Sequence, residues 1–254
     1  MSNLSSLEGK VAIITGAAQG LGRGEALALS KEGAAVAVVD LNLSKATEVA
    51  EEIRAAGGRA LPLACDVAVA EQVQAVVDST VAEFGGVDIL VNNAQRTYPA
   101  VPMEDYTEEM MRANWESGTL GTFLFMKACF PHMKDKGGRI INTASGAGVG
   151  VFPGFCGYGA AKEAIRSLTR YAAKEWGQHG IVVNCITPLA MTEAAEKANQ
   201  DQATSDATMA AMSIKRFGDA EDDIGRAIVF LAGPDCSYIT GNTISVDGGL
   251  TSVV

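Results

Sequence analysis

The chain has 254 residues, 48% of them hydrophobic and 20% charged, which suits one globular domain with a sizeable core. Its net charge of −10 argues against a nucleic-acid partner, which needs basic patches, and mildly against an acidic carrier-protein substrate. No apolar run approaches the roughly 20 residues of a membrane span, and the first residues, Met-Ser-Asn-Leu-Ser-Ser, carry no basic or apolar leader, so neither a membrane partner nor a signal peptide is expected.

In chain order, residues 10–15 (Lys-Val-Ala-Ile-Ile-Thr) form a short β-branched run of the buried-strand type. Gly16, Gly20 and Gly22 follow in the spacing Gly-x3-Gly-x-Gly, with Gln19 and Leu21 between them, and a helical pattern covers 21–32. A strand, a glycine turn and a helix start together offer backbone N–H groups and the positive end of a helix dipole to a pyrophosphate. An ordinary glycine-rich strand-to-helix turn is the bland alternative. Residues 35–40 (Ala-Val-Ala-Val-Val-Asp) read as a second strand ending in an acid. Asp40, followed by Leu41, can accept hydrogen bonds from adenosine ribose hydroxyls and repels a 2′-phosphate. Positions 17, 18, 41 and 42 hold no Arg or Lys, so the reading favours NAD over NADP, against the alternative that Asp40 only caps the next helix.

Further strands are expected near 60–65, 87–91, 138–144, 181–186 and 243–247, and helices near 44–56, 70–84, 105–134, 158–179 and 221–232. This alternation predicts a single α/β domain, 1–254: a Rossmann-like, doubly wound parallel sheet of about seven strands with helices on both faces. Ligand-binding residues should gather at the carboxyl ends of its strands. The stretch 190–213, rich in Ala, Met and Glu, reads as a helical insert over the site, a lid. The five cysteines (65, 129, 156, 185 and 236) lack any Cys-x2-Cys and read as buried thiols of a reducing compartment, the cytoplasm. His132 and His179 have no nearby ligand set, so no metal site is expected.

The sharpest signal is Tyr158-x3-Lys162 with Ser145 upstream. On a helix, positions i and i+4 share a face, which sets an ammonium beside the phenol. A nearby cation favours phenolate. Moving a tyrosine from a pKa of about 10 to about 7 takes roughly 4 kcal/mol. Such a tyrosine exchanges a proton with an alcohol or ketone near neutral pH. The bland alternatives are an aromatic stem covered by a lysine stem, and a turn serine among Gly146 and Gly148.

Thr15-Gly16-x3-Gly20-x-Gly22, Asp66-Val67, Asn92-Asn93-Ala94, Asn114, Ser145, Tyr158-x3-Lys162, Asn184 with Pro188 and Thr192, and the tail Thr240-Gly241-x4-Val246-Asp247-Gly248-Gly249 occur in this order. In these motifs the chain resembles a short-chain dehydrogenase/reductase of the common form, over nearly its whole length. The resemblance implies a nicotinamide cofactor held by Gly16, Gln19, Gly20, Leu21, Gly22, Asp40, Leu41, Asp66, Val67, Asn93, Ala94, Tyr158, Lys162, Pro188 and Thr192. It implies a serine (Ser145) that orients the substrate oxygen, a tyrosine (Tyr158) as general acid/base, and a lysine (Lys162) that binds the nicotinamide ribose and lowers the tyrosine pKa. Asn114 would hold a helix bulge and a water in the proton path, and Asn92 would brace the central sheet. Ordinary capping and loop roles remain open for Asn114, Asp66, Asn92, Asn93 and Thr192.

Two positions depart from the family pattern: Gln95 and Leu189 stand where glycine is usual, both beside the expected nicotinamide pocket. Substrate contacts are expected from Gln95, Ser145, Phe152, Phe155, Tyr158, Leu189 and Met191, with Tyr98, Val101, Val151, Cys156, Met209 and Met212 nearby and Arg96 as a cation at the entrance. That lining suits a small-molecule secondary alcohol or ketone with an apolar or aromatic body. The competing functions are a catabolic 3-hydroxyacyl-thioester dehydrogenase/3-oxoacyl reductase and, from another class, a catalytically silent NAD-binding regulatory protein. The resemblance further implies a homo-oligomer, a homotetramer, with Leu120, Phe123, Leu124 and Met126 as candidates for burial in an interface.

Overall fold

The computed structural model describes residues 7–192 and 202–251. Seven parallel strands form one sheet: β1 (Val11–Thr15), β2 (Ala35–Asp40), β3 (Arg59–Ala64), β4 (Ile89–Asn92), β5 (Gly138–Thr143), β6 (Ile181–Pro188) and β7 (Thr243–Val246), in the order β3-β2-β1-β4-β5-β6-β7. β1, β2 and β4 are buried on both faces, which is why they read as unbroken apolar runs rather than alternating ones. The strand order reverses between β1 and β4, and at such a switch point a crevice opens beyond the carboxyl ends of the strands.

Helices cover both faces. On one side α1 (Gly20–Lys31), α2 (Leu43–Ala55) and α9 (Arg226–Ala232) pack over Ile14, Val36, Val38, Val91 and Ile186. On the other, α3 (Ala70–Phe84), α5 (Gly121–Met133) and α7 (Cys156–Trp176) cover Ile13, Val39, Leu90, Ile140 and Val183. Two short helices, α4 (Glu108–Asn114) and α6 (Gly146–Gly150), precede α5 and α7, and α8 spans Gln202–Ala211.

The single helix expected over 105–134 is broken. α4 ends at Asn114, a π turn runs from Trp115 to Leu120, and α5 starts at Gly121. The widened turn seats two glycines against neighbours. A Cβ on Gly121 would lie 2.8 Å from Val67 Cγ2, and one on Gly118 would collide with Gln95 Oε1. A second π turn, Ala220–Gly225, opens the helix expected over 221–232. The helix expected over 158–179 begins earlier, at Cys156, and closes in a 3-10 turn, Gly177–His179.

Of the insert expected at 190–213, residues 193–201 lie outside the described residues, and α8 is its described helix. Met126 is buried against the sheet, Leu124 is half-buried on the same core, and Phe123 is exposed. Among the described residues no helix is long and apolar enough to cross a membrane, and no cluster of His, Cys, Asp and Glu could hold a metal ion. All five cysteines are free thiols.

Candidate active site

A cleft of about 460 Å³ crosses the carboxyl ends of β2, β1, β4, β5 and β6. Gly16 sits at φ 65°, a left-handed conformation that favours glycine, and a Cβ there would lie 2.9 Å from Ala94 Cα. Behind it, a Cβ on Gly22 would meet the Gly16 carbonyl and come within 2.6 Å of Asn93 Nδ2. The third glycine therefore packs helix α1 onto the turn itself. Asn93 fixes that turn by donating from Nδ2 to the carbonyls of Thr15 (3.1 Å) and Gly16 (3.2 Å). Thr15 Oγ1 in return accepts from the Asn93 and Ala94 amides, both at 3.1 Å.

Asp40 closes β2 with its carboxylate accepting from the Ala18 amide (3.1 Å) and the Asn42 amide (3.0 Å). Lys45, one turn into α2, donates to Gln19 Oε1 at 3.1 Å. This cation beside the turn is one that inspection of positions 17, 18, 41 and 42 misses. The signal was the helix itself, which starts at Leu43 behind the Asn42 cap and brings Lys45 back over the turn.

Of the residues expected to hold a cofactor, Gly16, Gln19, Gly20, Leu21, Asp40, Leu41, Asp66, Val67, Asn93, Ala94, Tyr158, Lys162, Pro188 and Thr192 line the cleft; Gly22 stands behind its wall. Thr192 packs over the turn, 3.5 Å from where a Gly20 Cβ would be. A glycine cradle that side chains would fill, with a carboxylate at one end, fits a dinucleotide.

At the other end stand Ser145, Tyr158 and Lys162. Ser145 caps α6, its Oγ accepting from the Ala147 amide at 3.1 Å, and lines the cleft as well. Lys162 is 2% exposed and donates from Nζ to the Thr143 carbonyl at 2.7 Å, with Nζ 5.5 Å from the Tyr158 ring centre. Burial dominates the ionisation of both. It pushes the Tyr158 phenol above its usual value, against a hydrogen bond with Ser145 that lowers it, and it brings Lys162 down to about 8. The lowered tyrosine pKa expected from the Tyr-x3-Lys spacing is therefore not found in the protein alone: desolvation of the phenol outweighs what favours its anion.

Asn114 is fully buried and does not line the cleft. Its side chain accepts from the Tyr106 hydroxyl and donates to the Arg96 carbonyl at 2.6 Å. Its own carbonyl accepts from Gln95 Nε2 at 3.0 Å, and the same amide reaches the Arg96 carbonyl (3.0 Å) and Ser117 Oγ (3.4 Å). Gln95 thus ties the segment after β4 to the π turn. Asn92 bonds Asn142 Oδ1 across β4 and β5 at 2.9 Å, bracing the sheet as expected.

Gln95, Ser145, Tyr158 and Leu189 line the cleft, whereas Phe152, Phe155 and Met191 do not. Phe152 is 45% exposed beside α6, and Phe155 packs its ring edge-on to Tyr158 at 6.4 Å. Met212 packs inward on Gly248. Thr97, Ser117 and Ala190 join the wall without having been singled out.

A family model described as enoyl-(acyl carrier protein) reductase matches residues 16–251. The 12alpha-hydroxysteroid dehydrogenase of Clostridium sp. is 41% identical over 252 residues, covering 96% of this chain and 97% of that protein. The D-threitol dehydrogenase of Mycolicibacterium smegmatis is 38% identical over 253 residues, covering 96% and 94%. A crystal structure of a putative short-chain alcohol dehydrogenase from Sinorhizobium meliloti 1021 superposes with a TM-score of 0.92 at 34% identity, covering 96% and 97% of the two chains. With this sheet, this cleft and these relatives, the chain belongs to the short-chain dehydrogenase/reductase family, oxidoreductases of alcohols and ketones that use a nicotinamide cofactor.

Proposed function

We propose that this protein is an NAD(H)-dependent dehydrogenase of a secondary alcohol with an apolar body, working reversibly as a ketone reductase. The carrying observation is that one cleft joins the glycine turn and Asp40 to Ser145, Tyr158 and Lys162. Bound NAD supplies the hydride acceptor. Tyr158 exchanges the alcohol proton, and Ser145, fixed as the cap of α6, hydrogen-bonds the same oxygen and orients it. Lys162, anchored on the Thr143 carbonyl, places a positive charge under the phenol. When alcohol and cofactor displace water, that charge favours the phenolate against the desolvation that otherwise raises it. Asn114 serves the site indirectly, holding the Gln95–Arg96 segment and the π turn in place.

Asp40 supports NAD over NADP, since a 2′-phosphate would meet a carboxylate already held by two amides. Lys45 is the group that can weaken that preference. Leu189 adds an apolar side chain on the substrate side, which supports an apolar alcohol rather than a polyol. The whole chain acts as one domain. Five free thiols suit the cytoplasm. Exposed Trp115, Phe123, Tyr171, Phe230 and Tyr238 support burial between copies and a homotetramer.

The test is a panel of steroid alcohols, alicyclic alcohols, polyols and 3-hydroxyacyl thioesters, each with NAD and NADP. The reading expects the highest kcat/KM for an apolar alcohol with NAD. A best substrate among the polyols, or a preference for NADP, would overturn the corresponding part.

A further inference from the structure

Glu25 has no use in the account so far. It lies in α1, one helical turn beyond Leu21, which lines the cleft. Its side chain is fully buried, and both carboxyl oxygens lack a hydrogen-bond partner. A carboxyl so placed is costly unless something nearby needs it. On the sheet below, Thr143 extends the face of β5 that carries Ile141 into the α1-side core, because side chains two apart share a face. Thr143 Oγ1 is buried and also without a partner. The backbone carbonyl of this same Thr143 holds Lys162 Nζ. Thus a buried, unpartnered carboxyl on α1 and a buried, unpartnered hydroxyl on the β5 residue that anchors Lys162 both lie on the α1 side of the sheet.

We propose that Glu25 is a positioning residue for the active site: its carboxylate is the buried counter-charge that keeps Lys162 an ammonium as the medium turns alkaline. The proposal rests on the role given to Lys162 above.

The charges support it. Burial pushes Glu25 up to about 8, with Lys162 pulling it back, and burial brings Lys162 down to about 8, with Cys185 and Glu25 holding it up. Cys185 is itself raised above 9.0 by burial, so it is a neutral thiol where Lys162 titrates, which leaves Glu25 as the counter-charge. The charged groups of the elements packed on α1 are engaged elsewhere. Glu221 and Asp222 of the π turn act on Lys31, Asp223 binds Arg216, Arg226 of α9 binds Glu32, Glu52 of α2 binds Arg23, and Asp40 of β2 binds amides. As pH rises, Glu25 ionises where Lys162 would otherwise lose its proton, and the two titrations oppose each other.

The sign for stability follows. A carboxyl raised from 4.5 to about 8 keeps in the folded state a proton that the unfolded chain gives up, so stability falls between about pH 4.5 and 8. A lysine lowered from 10.5 to about 8 contributes the opposite slope, a rise between about pH 8 and 10.5.

The experiment compares wild type, Glu25→Gln and Glu25→Asp in two ways. Thermal melting against pH, without cofactor or substrate, expects a fall in Tm between about pH 5 and 8 in wild type that is flattened in Glu25→Gln. Alcohol oxidation against pH expects the alkaline limb of kcat in Glu25→Gln to move down by about one unit, an approximately tenfold loss at the alkaline end relative to its own value at neutral pH, with Glu25→Asp restoring part of it. Glu25→Leu replaces Glu25→Gln if the latter does not fold. Melting curves that share one pH dependence, or an unmoved alkaline limb, would overturn the proposal. If wild type turns over no alcohol, the functional reading of the site fails, and the melting series still decides whether Glu25 titrates as described.

Discussion

The nucleotide end of the cleft and its substrate end are built in different ways. At the nucleotide end, residues 16–40 run continuously from glycine turn through α1 to Asp40, and position is set by backbone: Gly16 in a left-handed turn, Gly22 packed on the Gly16 carbonyl, Asn93 hydrogen-bonded to both flanking carbonyls. At the substrate end the walls come from the segment after β4, from the end of β5 with Ser145, and from the segment after β6, and they are made of side chains, Arg96 and Thr97 among them exposed. A backbone-built site tolerates little change and announces itself in sequence. A site assembled from distant side chains does neither. Tyr158, Lys162 and Ser145 stand at the seam between the two.

The seam should break hardest. Tyr158→Phe removes the exchanging hydroxyl and little else, so kcat should fall about a thousandfold, as is usual for loss of a general acid/base, with NADH binding by fluorescence unchanged. Next comes the nucleotide end. Gly22→Ala forces a methyl against the Gly16 carbonyl, so the turn must shift; we expect about 1–3 kcal/mol of lost stability in urea melts and a weakened NADH affinity together. Gln95→Ala, at the join between the ends, removes a donor to the Asn114 and Arg96 carbonyls and should cost about 1–2 kcal/mol while leaving NADH affinity within a few-fold. The substrate end should give least. Val151, a β-branched residue at φ 53° and 76% exposed, is strained, so Val151→Gly should gain about 1 kcal/mol in the same melts without altering NADH binding. Substrate-end variants that abolished NADH binding would dissolve the distinction between the two ends.

Legibility in the sequence follows the same division. The strands were readable because doubly buried parallel strands are continuous apolar runs, as in residues 35–39. The glycine turn was readable because its three glycines fall within seven residues between a strand and a helix start. The break after Asn114 was not: residues 105–134 keep a helical pattern across a π turn, and the available hints were Gly118 and Gly121 inside it, each meeting a partner remote in sequence. Tyr106, whose hydroxyl holds Asn114, could not be found from spacing for the same reason. The ionisation of Tyr158 is not legible in spacing, because the i, i+4 rule brings Lys162 near but carries no measure of burial, and burial is the larger influence. The segment 146–157 neighbours the cleft, but position in the chain does not give side-chain direction: Phe152 is exposed and Phe155 packs on the Tyr158 ring. Lys45 escaped because its approach to Gln19 depends on where α2 starts.

The most direct test of the central claim is one paired measurement on wild type and Tyr158→Phe: NADH affinity by fluorescence, and initial rates of alcohol oxidation with NAD and NADP on the best substrate of the panel. The account predicts equal NADH affinity in the two proteins, turnover with NAD in wild type, and near-complete loss in Tyr158→Phe. Turnover that survives the loss of the Tyr158 hydroxyl would contradict it.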